Sequence, residues 1–171
     1  MSQDQTTDGL ASDPILDRAL YIGVDPGVSG GIAALYDTGQ YAWAKKMPAT
    51  EGDIFEVFNG VVMWCRDNVY RPKACIEMVH AMPAQGVRSV FTFGRNYGFL
   101  RACLYGARIP FEEITPQAWQ GALRCRTKGD KNVTKKKAQQ LWPDRGRGIT
   151  HAIADALLIA EWYRRQDLGR N

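Results

Sequence analysis

The first third of the chain alternates short apolar runs with turn signals, a pattern typical of β-strands. Leu20 to Val24 is apolar and β-favouring at every position, as in a central strand that is covered on both faces. Pro26-Gly27 then predicts a turn, and a second strand is predicted over Gly30 to Tyr36. Asp37-Thr38-Gly39-Gln40 is a hairpin signal, and a third strand is predicted over Tyr41 to Met47. We expect these strands to form an antiparallel meander.

Helical and strand patterns alternate along the rest of the chain. Apolar residues recur at helical spacing in three long stretches, Thr115-Pro116 is a helix start signal, and two short buried strands lie between the helices. The order predicts an α/β, ribonuclease-H-like fold, with a five-stranded mixed sheet flanked by helices. The predicted helices span Asp53–Asn68, Ser89–Tyr105, Val133–Trp142 and Thr150–Arg165, with strands at Lys73–Met78 and Phe111–Ile114 and a loop at Val79–Gly86.

Length and composition predict one globular domain. The chain has 171 residues, of which 45% are hydrophobic and 23% charged, and no apolar run is long enough for a membrane span. Residues 1–19 are polar, lack the apolar core of a secretory signal, and are interpreted as a flexible tail before a domain over 20–171. The four cysteines form no C-x-x-C pair, which favours a reduced, cytoplasmic protein.

Positive charge is concentrated in one segment. Residues 124–147 carry nine Lys or Arg and two Asp, a net charge of +7, whereas the whole chain carries only +4. Such a block favours a polyanion surface, with nucleic acid as the leading candidate. A solvated helix face without a partner is the alternative.

Three acidic residues occur where a strand is predicted to end or inside a predicted helix. Asp25 follows the first strand, Glu77 interrupts the apolar run Ala74-Cys75-Ile76, and Asp155 lies inside the last helix. A buried carboxylate costs several kcal/mol unless a cation or hydrogen bonds compensate it. The three together therefore suggest a shared Mg²⁺ site, because magnesium prefers hard oxygen ligands and two such ions can activate water and stabilise a leaving oxygen.

His151 precedes Asp155 by four residues, so both lie on one helix face. It could ligate a metal, position the attacking water, or be a neutral histidine that holds Asp155 in place. Each acid also has a plain alternative: Asp25 as a turn residue, Glu77 as a strand-end side chain in solvent, and Asp155 as an exposed helix position.

Five motifs in order resemble those of RuvC-like Holliday junction resolvases (crossover junction endodeoxyribonucleases), especially phage-type members. The match extends over about residues 20 to 165. Its motifs are Ile22-Gly-Val-Asp-Pro-Gly-Val-Ser-Gly-Gly31, Cys75-Ile-Glu77, Ser89-Val-Phe-Thr-Phe-Gly-Arg-Asn-Tyr-Gly98, Thr115-Pro-Gln-Ala-Trp119 and His151-Ala-Ile-Ala-Asp-Ala-Leu-Leu-Ile-Ala160.

The resemblance implies a Mg²⁺-dependent endonuclease, with Mn²⁺ as a substitute, that resolves four-way DNA junctions by paired symmetric nicks as a homodimer. Asp25, Glu77 and Asp155 would be catalytic metal ligands. Many cellular members place the fourth site residue three positions before the last acid, where this chain has Ala152, and His151 lies at four. No nucleotide cofactor and no membrane partner are expected.

The resemblance also suggests DNA contacts. Cellular members often carry an aromatic residue three positions after the second acid, where this chain has His80. The basic segment and the helix after the loop supply further phosphate contacts. The predicted DNA-binding residues are His80, Arg88, Arg95, Lys128, Lys131, Lys135, Lys136 and Lys137.

Three other functions fit parts of the pattern. The Asp25 motif is similar to a phosphate loop of actin-like kinases, but those need two such subdomains. Another nuclease of the same fold, or a broader branched-DNA nuclease acting on flaps and forks, fits the pattern better than a kinase does. A DNA-branch-binding protein without catalysis is the third, and metal-dependent nicking would distinguish it.

Overall fold

The computed structural model describes residues 18–78 and 86–169. Residues 1–17 of the tail that was predicted over 1–19 lie outside these ranges, and so does His80. The described helices include none that is long and apolar enough to cross a membrane.

A five-stranded mixed sheet forms the centre of the fold, as predicted. Its spatial order is β3-β2-β1-β4-β5. The first three strands pair in antiparallel fashion, whereas β4 runs parallel to both β1 and β5. The strands are β1 (Ala19–Asp25), β2 (Gly31–Tyr36), β3 (Tyr41–Lys46), β4 (Arg71–Glu77) and β5 (Phe111–Ile114). The ribonuclease-H-like prediction is confirmed.

Helices cover both faces of the sheet. The helices are α1 (Glu51–Asp67), α2 (Val87–Gly106), α3 (Pro116–Ala122), α4 (Asn132–Leu141) and α5 (His151–Asp167), and a 3₁₀ turn spans Pro143–Gly148. That 3₁₀ turn was not predicted. Leu20, Ile22 and Val24 pack toward α1 and α2, while Ala19 and Tyr21 pack toward α5, so β1 is buried on both sides.

The strand β4 starts at Arg71, before the predicted Lys73, and therefore includes Pro72. Arg71 donates its N–H to Arg18 on the β1 side, and Ala74 donates to Pro110 on the β5 side. The nitrogen of Pro72 therefore faces the β5 side, before β5 begins opposite Ala74. No ladder hydrogen bond is lost there, so proline is tolerated in an otherwise internal strand.

The helix α5 lies directly on the backbone of β1 and β2. A Cβ added at Gly23 would lie 1.9 Å from the carbonyl oxygen of Ala156, and one added at Gly31 would lie 2.5 Å from that of Ala152. Only glycine fits at these two positions. This close approach places the first turns of α5 over the carboxyl end of β1.

Candidate active site

Two of the predicted acids meet at one edge of the sheet. Asp25 ends β1 and Glu77 ends β4, and the parallel register sets Val24 opposite Ile76, immediately before them. Alternate residues of a strand share one face of the sheet. Gly23 and Cys75, which lie two residues before the acids in their strands, face α5. The side chains of Asp25 and Glu77 therefore point to the face that α5 covers. Adjacent parallel strands thus bring the two carboxylates together.

The third acid reaches this edge from α5. Asp155 lies about one turn into the helix and is partly buried, with its Oδ1 enclosed and without a hydrogen-bond partner. Burial raises the pKa of Asp155, while Thr134, Lys131 and His151 act to lower it. The charge of Asp155 in turn raises the pKa of both Asp25 and Glu77. The three acids therefore share one electrostatic site.

A tight turn shapes the surroundings of Asp25. The Gly27 N–H donates to Asp25 Oδ1 at 3.1 Å. A Cβ at Gly30 would lie 2.6 Å from Asp25 Cγ, so the carboxylate occupies space that any larger residue would need. Burial raises the pKa of Asp25 to about 6, against the opposing effect of the Gly27 N–H.

Glu77 accepts a hydrogen bond from the core. The indole Nε1 of Trp119 donates to Glu77 Oε2 at 2.7 Å. Burial, followed by the charge of Asp25, raises the pKa of Glu77 to about 7, and the Trp119 bond acts in the opposite direction. Trp119 belonged to a sequence motif without an assigned role. Trp119 follows Glu77 by 42 residues, so no local signal in the sequence pairs its indole N–H with this acid.

These donors fit a hard divalent cation. Carboxylate oxygens are the ligands that Mg²⁺ and Mn²⁺ prefer, and the orphaned Oδ1 of Asp155 together with the raised pKa values indicates uncompensated negative charge. Within residues 18–78 and 86–169, the His, Cys, Asp and Glu side chains form no group of three or more that is arranged to hold a metal ion. The three acids are near enough to repel one another without forming a closed cage.

His151 is exposed at the first position of α5. Its Nε2 lies 3.1 Å from Oδ1 of Asn132 on α4, and its charge acts to lower the pKa of Asp155. It therefore lies near the acids while its ring contacts α4. Its role as a metal ligand stays a prediction.

Lys131 stands out among the basic residues. It is exposed at the N-cap of α4, and its charge acts to lower the pKa of Asp25, Glu77 and Asp155. The sequence had placed it in the basic segment and among the predicted DNA-binding residues, without relating it to the acids. The folded chain brings this one lysine to all three acids.

The remaining predicted DNA contacts differ in their surroundings. Lys128 and Lys136 are exposed, and Lys135 and Lys137 are half-buried on α4. Within the described ranges, none of these lysines is ion-paired with a carboxylate. Arg88 is exposed near the start of α2.

Arg95 is engaged by an acid of the same chain. Its guanidinium donates from Nε and Nη2 to Glu51 Oε1 at 3.0 and 2.7 Å. Any phosphate contact by Arg95 must therefore compete with this ion pair.

The raised pKa values predict how stability depends on pH without metal. Asp25 and Glu77 hold protons in the folded state up to about pH 6 and 7, whereas in the unfolded chain they release them near 3.8 and 4.5. Their contribution is therefore fully present below about pH 4 and is lost as the pH rises through 6 to 7. Asp25→Asn should thus stabilise the metal-free protein at pH 8 by on the order of 2 kcal/mol. Thermal unfolding in EDTA at pH 5 and 8 measures this.

Asp167 supplies the opposite control for this pH experiment. Burial alone would raise its pKa, but hydrogen bonds from Lys73 and Tyr21 outweigh burial and lower it. Asp167→Asn should therefore destabilise the protein at pH 8. Identical pH dependence in wild type and Asp25→Asn would contradict the assigned electrostatics.

Comparisons with known proteins support the fold. No family model matches the chain, and no curated protein does. Among solved structures, it is similar to Thermus thermophilus RuvC, with a TM-score of 0.56 and 14% identity over 89% of this chain and 98% of that one. It is likewise similar to T. thermophilus RuvC in complex with Holliday junction substrate, with a TM-score of 0.54 and 15% identity over 89% and 97%. The chain therefore has the RuvC-like fold, and the phage-type assignment stays a prediction.

Proposed function

We propose that this chain is a divalent-metal-dependent endonuclease that resolves four-way DNA junctions by paired symmetric nicks. The observation that carries the proposal is the meeting of Asp25, Glu77 and Asp155 on one edge of a RuvC-like sheet. Burial raises the pKa of all three acids, and the charge of Asp155 raises those of Asp25 and Glu77 further. Such a group is costly for folding alone, whereas a cation would offset that cost.

The residues of the chain divide the work of hydrolysis. Asp25 and Glu77 would hold the cation from the sheet, and Asp155 would close the site from α5. When bound, Mg²⁺ or Mn²⁺ would activate water and stabilise the leaving oxygen of the phosphodiester. Lys131 lies near enough to the acids to attract the scissile phosphate toward them.

Branched DNA is the proposed partner. One solved protein of the same fold is described in complex with a Holliday junction substrate. In this chain, Lys131 lies next to the acids at the start of α4, and Lys135, Lys136 and Lys137 follow it on the same helix. Lys136 is exposed, and Lys135 and Lys137 are half-buried. Cationic side chains on the helix that begins beside the acids suit the phosphate backbone of a junction arm.

A homodimer would supply two active sites for symmetric cuts, and α2 offers a surface for it. Val87, Phe91 and Tyr105 are 88%, 72% and 66% exposed, and nothing lies within 4 Å of a Cβ added at Gly94 or Gly98. With the exposed Ala102, these residues recur every three to four positions along one face of the helix. Two copies of such a face can approach closely and bury the aromatic rings.

The proposal is tested by incubating the protein with a synthetic four-way junction, a flap, a fork and a linear duplex of matched sequence, with Mg²⁺ and with EDTA. We expect Mg²⁺-dependent paired nicks in the junction and none in the duplex. Equal cutting of flaps and forks would replace junction resolution with a broader branched-DNA activity. Binding without nicking in Mg²⁺ or Mn²⁺ would overturn the enzymatic proposal.

Charge reversal on α4 should weaken DNA binding rather than chemistry. Replacing Lys135, Lys136 and Lys137 by Glu is expected to reduce junction affinity at least about tenfold and to flatten its dependence on salt, because phosphate contacts release counterions. Fluorescence anisotropy between low and high salt measures the slope. Arg66→Glu, Arg71→Glu and Arg108→Glu together reverse equal charge at exposed positions near the starts of β4 and β5, at the opposite end of the sheet from the acids, and serve as the control. An unchanged slope in the α4 variant would remove α4 from the DNA interface.

A further inference from the structure

Trp119 is a fully buried residue that contacts one of the three acids, Glu77. Its exposed fraction is 0%, and it packs in the core between α5 and the sheet. The chain places it there by local signals. Ile114 ends β5 opposite Glu77, Thr115 caps α3 by accepting from the Ala118 N–H, and Pro116 starts the helix. One turn later the indole therefore returns over the end of β4.

The hydrogen bond from Trp119 to Glu77 has a defined direction. An indole N–H can only donate, so Glu77 must present an oxygen lone pair to it. The bond occupies Oε2 at 2.7 Å and leaves Oε1 for other partners. Without this acceptor a buried N–H would be left unsatisfied, which destabilises the fold. The ring itself cannot move, because the core encloses it.

We infer that Trp119 is a positioning residue that fixes the orientation of Glu77 and thereby strengthens divalent-cation binding at the three acids. This inference rests on the proposed metal-dependent function. A fixed carboxylate loses less rotational freedom when it binds a cation, so the affinity rises without a new contact to the ion. The same restraint holds Glu77 near Asp25 when no cation is bound, despite their repulsion.

The chain contains a matched control in Trp142. It lies in the same core cluster, is 7% exposed, and donates its indole N–H to the carbonyl oxygen of Gly39 at 3.0 Å. Gly39 lies in the β2–β3 turn, at the opposite end of β2 from Gly31 and the acids. Trp119→Phe and Trp142→Phe therefore remove the same donor and similar bulk from the same core, one next to the acids and one far from them.

The test measures Mn²⁺ affinity of the full chain by isothermal titration, with thermal unfolding in EDTA and junction cleavage in parallel. We expect Trp119→Phe to bind Mn²⁺ at least about tenfold more weakly, with junction affinity in EDTA unchanged. Its cleavage rate should fall by a similar factor at subsaturating Mn²⁺ and recover as Mn²⁺ is raised to saturation. Trp142→Phe should lose comparable stability but neither Mn²⁺ affinity nor cleavage rate at subsaturating Mn²⁺. If Trp119→Phe does not fold, benzothienylalanine at position 119 keeps the shape and removes only the N–H.

The outcomes separate this inference from the proposed function. Wild-type protein that binds no Mn²⁺ would overturn both. Mn²⁺ binding by wild type with equal affinity in Trp119→Phe, or in the benzothienylalanine variant, would overturn the positioning role alone. An equal loss of affinity in Trp119→Phe and Trp142→Phe would show a general effect of core packing and would also overturn it.

Discussion

Asp25→Asn is expected to reduce junction cleavage by roughly a thousandfold while leaving junction affinity nearly unchanged. Asparagine keeps the size of the side chain and an oxygen that can accept from the Gly27 N–H, so the turn that encloses residue 25 is retained. It removes the negative charge, which is what a cation shared with Glu77 and Asp155 would require. Single-turnover cleavage and anisotropy titration measure the two quantities separately.

Asp37→Asn is the control for this substitution. Asp37 also accepts a hydrogen bond from a nearby backbone N–H, that of Thr38 at 2.9 Å, but it lies in the β2–β3 turn away from the acids. The Asp37→Asn protein should cleave the junction at the wild-type rate. Full activity of Asp25→Asn, with Glu77→Gln also active, would show that the chemistry occurs elsewhere on the molecule.

The second large effect is expected from Phe91→Asp on the exposed face of α2. In the proposed dimer, a carboxylate on this apolar face would have to be buried without a partner, at a cost of several kcal/mol. We expect the variant to be monomeric at micromolar concentration by sedimentation velocity. On a supercoiled plasmid with an extruded cruciform, wild type should yield mainly linear product, and the variant should yield mainly nicked circles with at least about tenfold less linear product.

Val69→Asp introduces the same charge at another exposed apolar residue. Val69 is 48% exposed in the turn between α1 and β4 and lies outside α2. It should leave both the association state and the linear product unchanged. If Phe91→Asp remains dimeric, the two-fold interface lies on a different surface.

The fold could be predicted from local sequence patterns wherever the periodicity of apolar residues matches their burial in the structure. The uninterrupted apolar run of β1 predicted a central strand, and β1 is buried between two layers. Gly94 and Gly98 lower the helix propensity of the segment 89–105, yet α2 is continuous through both. Glycine costs helix stability through backbone entropy, and the packing of Leu100 and Leu104 in the core offsets that cost. Such tertiary compensation is not visible in a short window of sequence.

The site was predictable in its acids but not in their partners. Asp25 and Glu77 could be paired from the strand order, since the ends of adjacent parallel strands must meet. Trp119 and Lys131 follow the two strands by many residues, and only the packed positions of α3 and α4 bring them to the acids. The ion pair of Arg95 with Glu51 likewise joins two helices whose relative position no local pattern encodes.

The bare backbone contact between α5 and the strands sets the spacing of the reactive groups. At Gly23 and Gly31 no side chain separates helix from sheet, so the height of Asp155 above the strand ends is determined by main-chain atoms in contact. Substitutions elsewhere in the core can destabilise the protein without altering the height of Asp155 above the strand ends. A single methyl group at residue 23 or 31 would instead act as a spacer, lifting the helix and widening the gap between carboxylates. If the site holds the proposed cation, substitutions at these two positions would alter its ion selectivity without touching the ion.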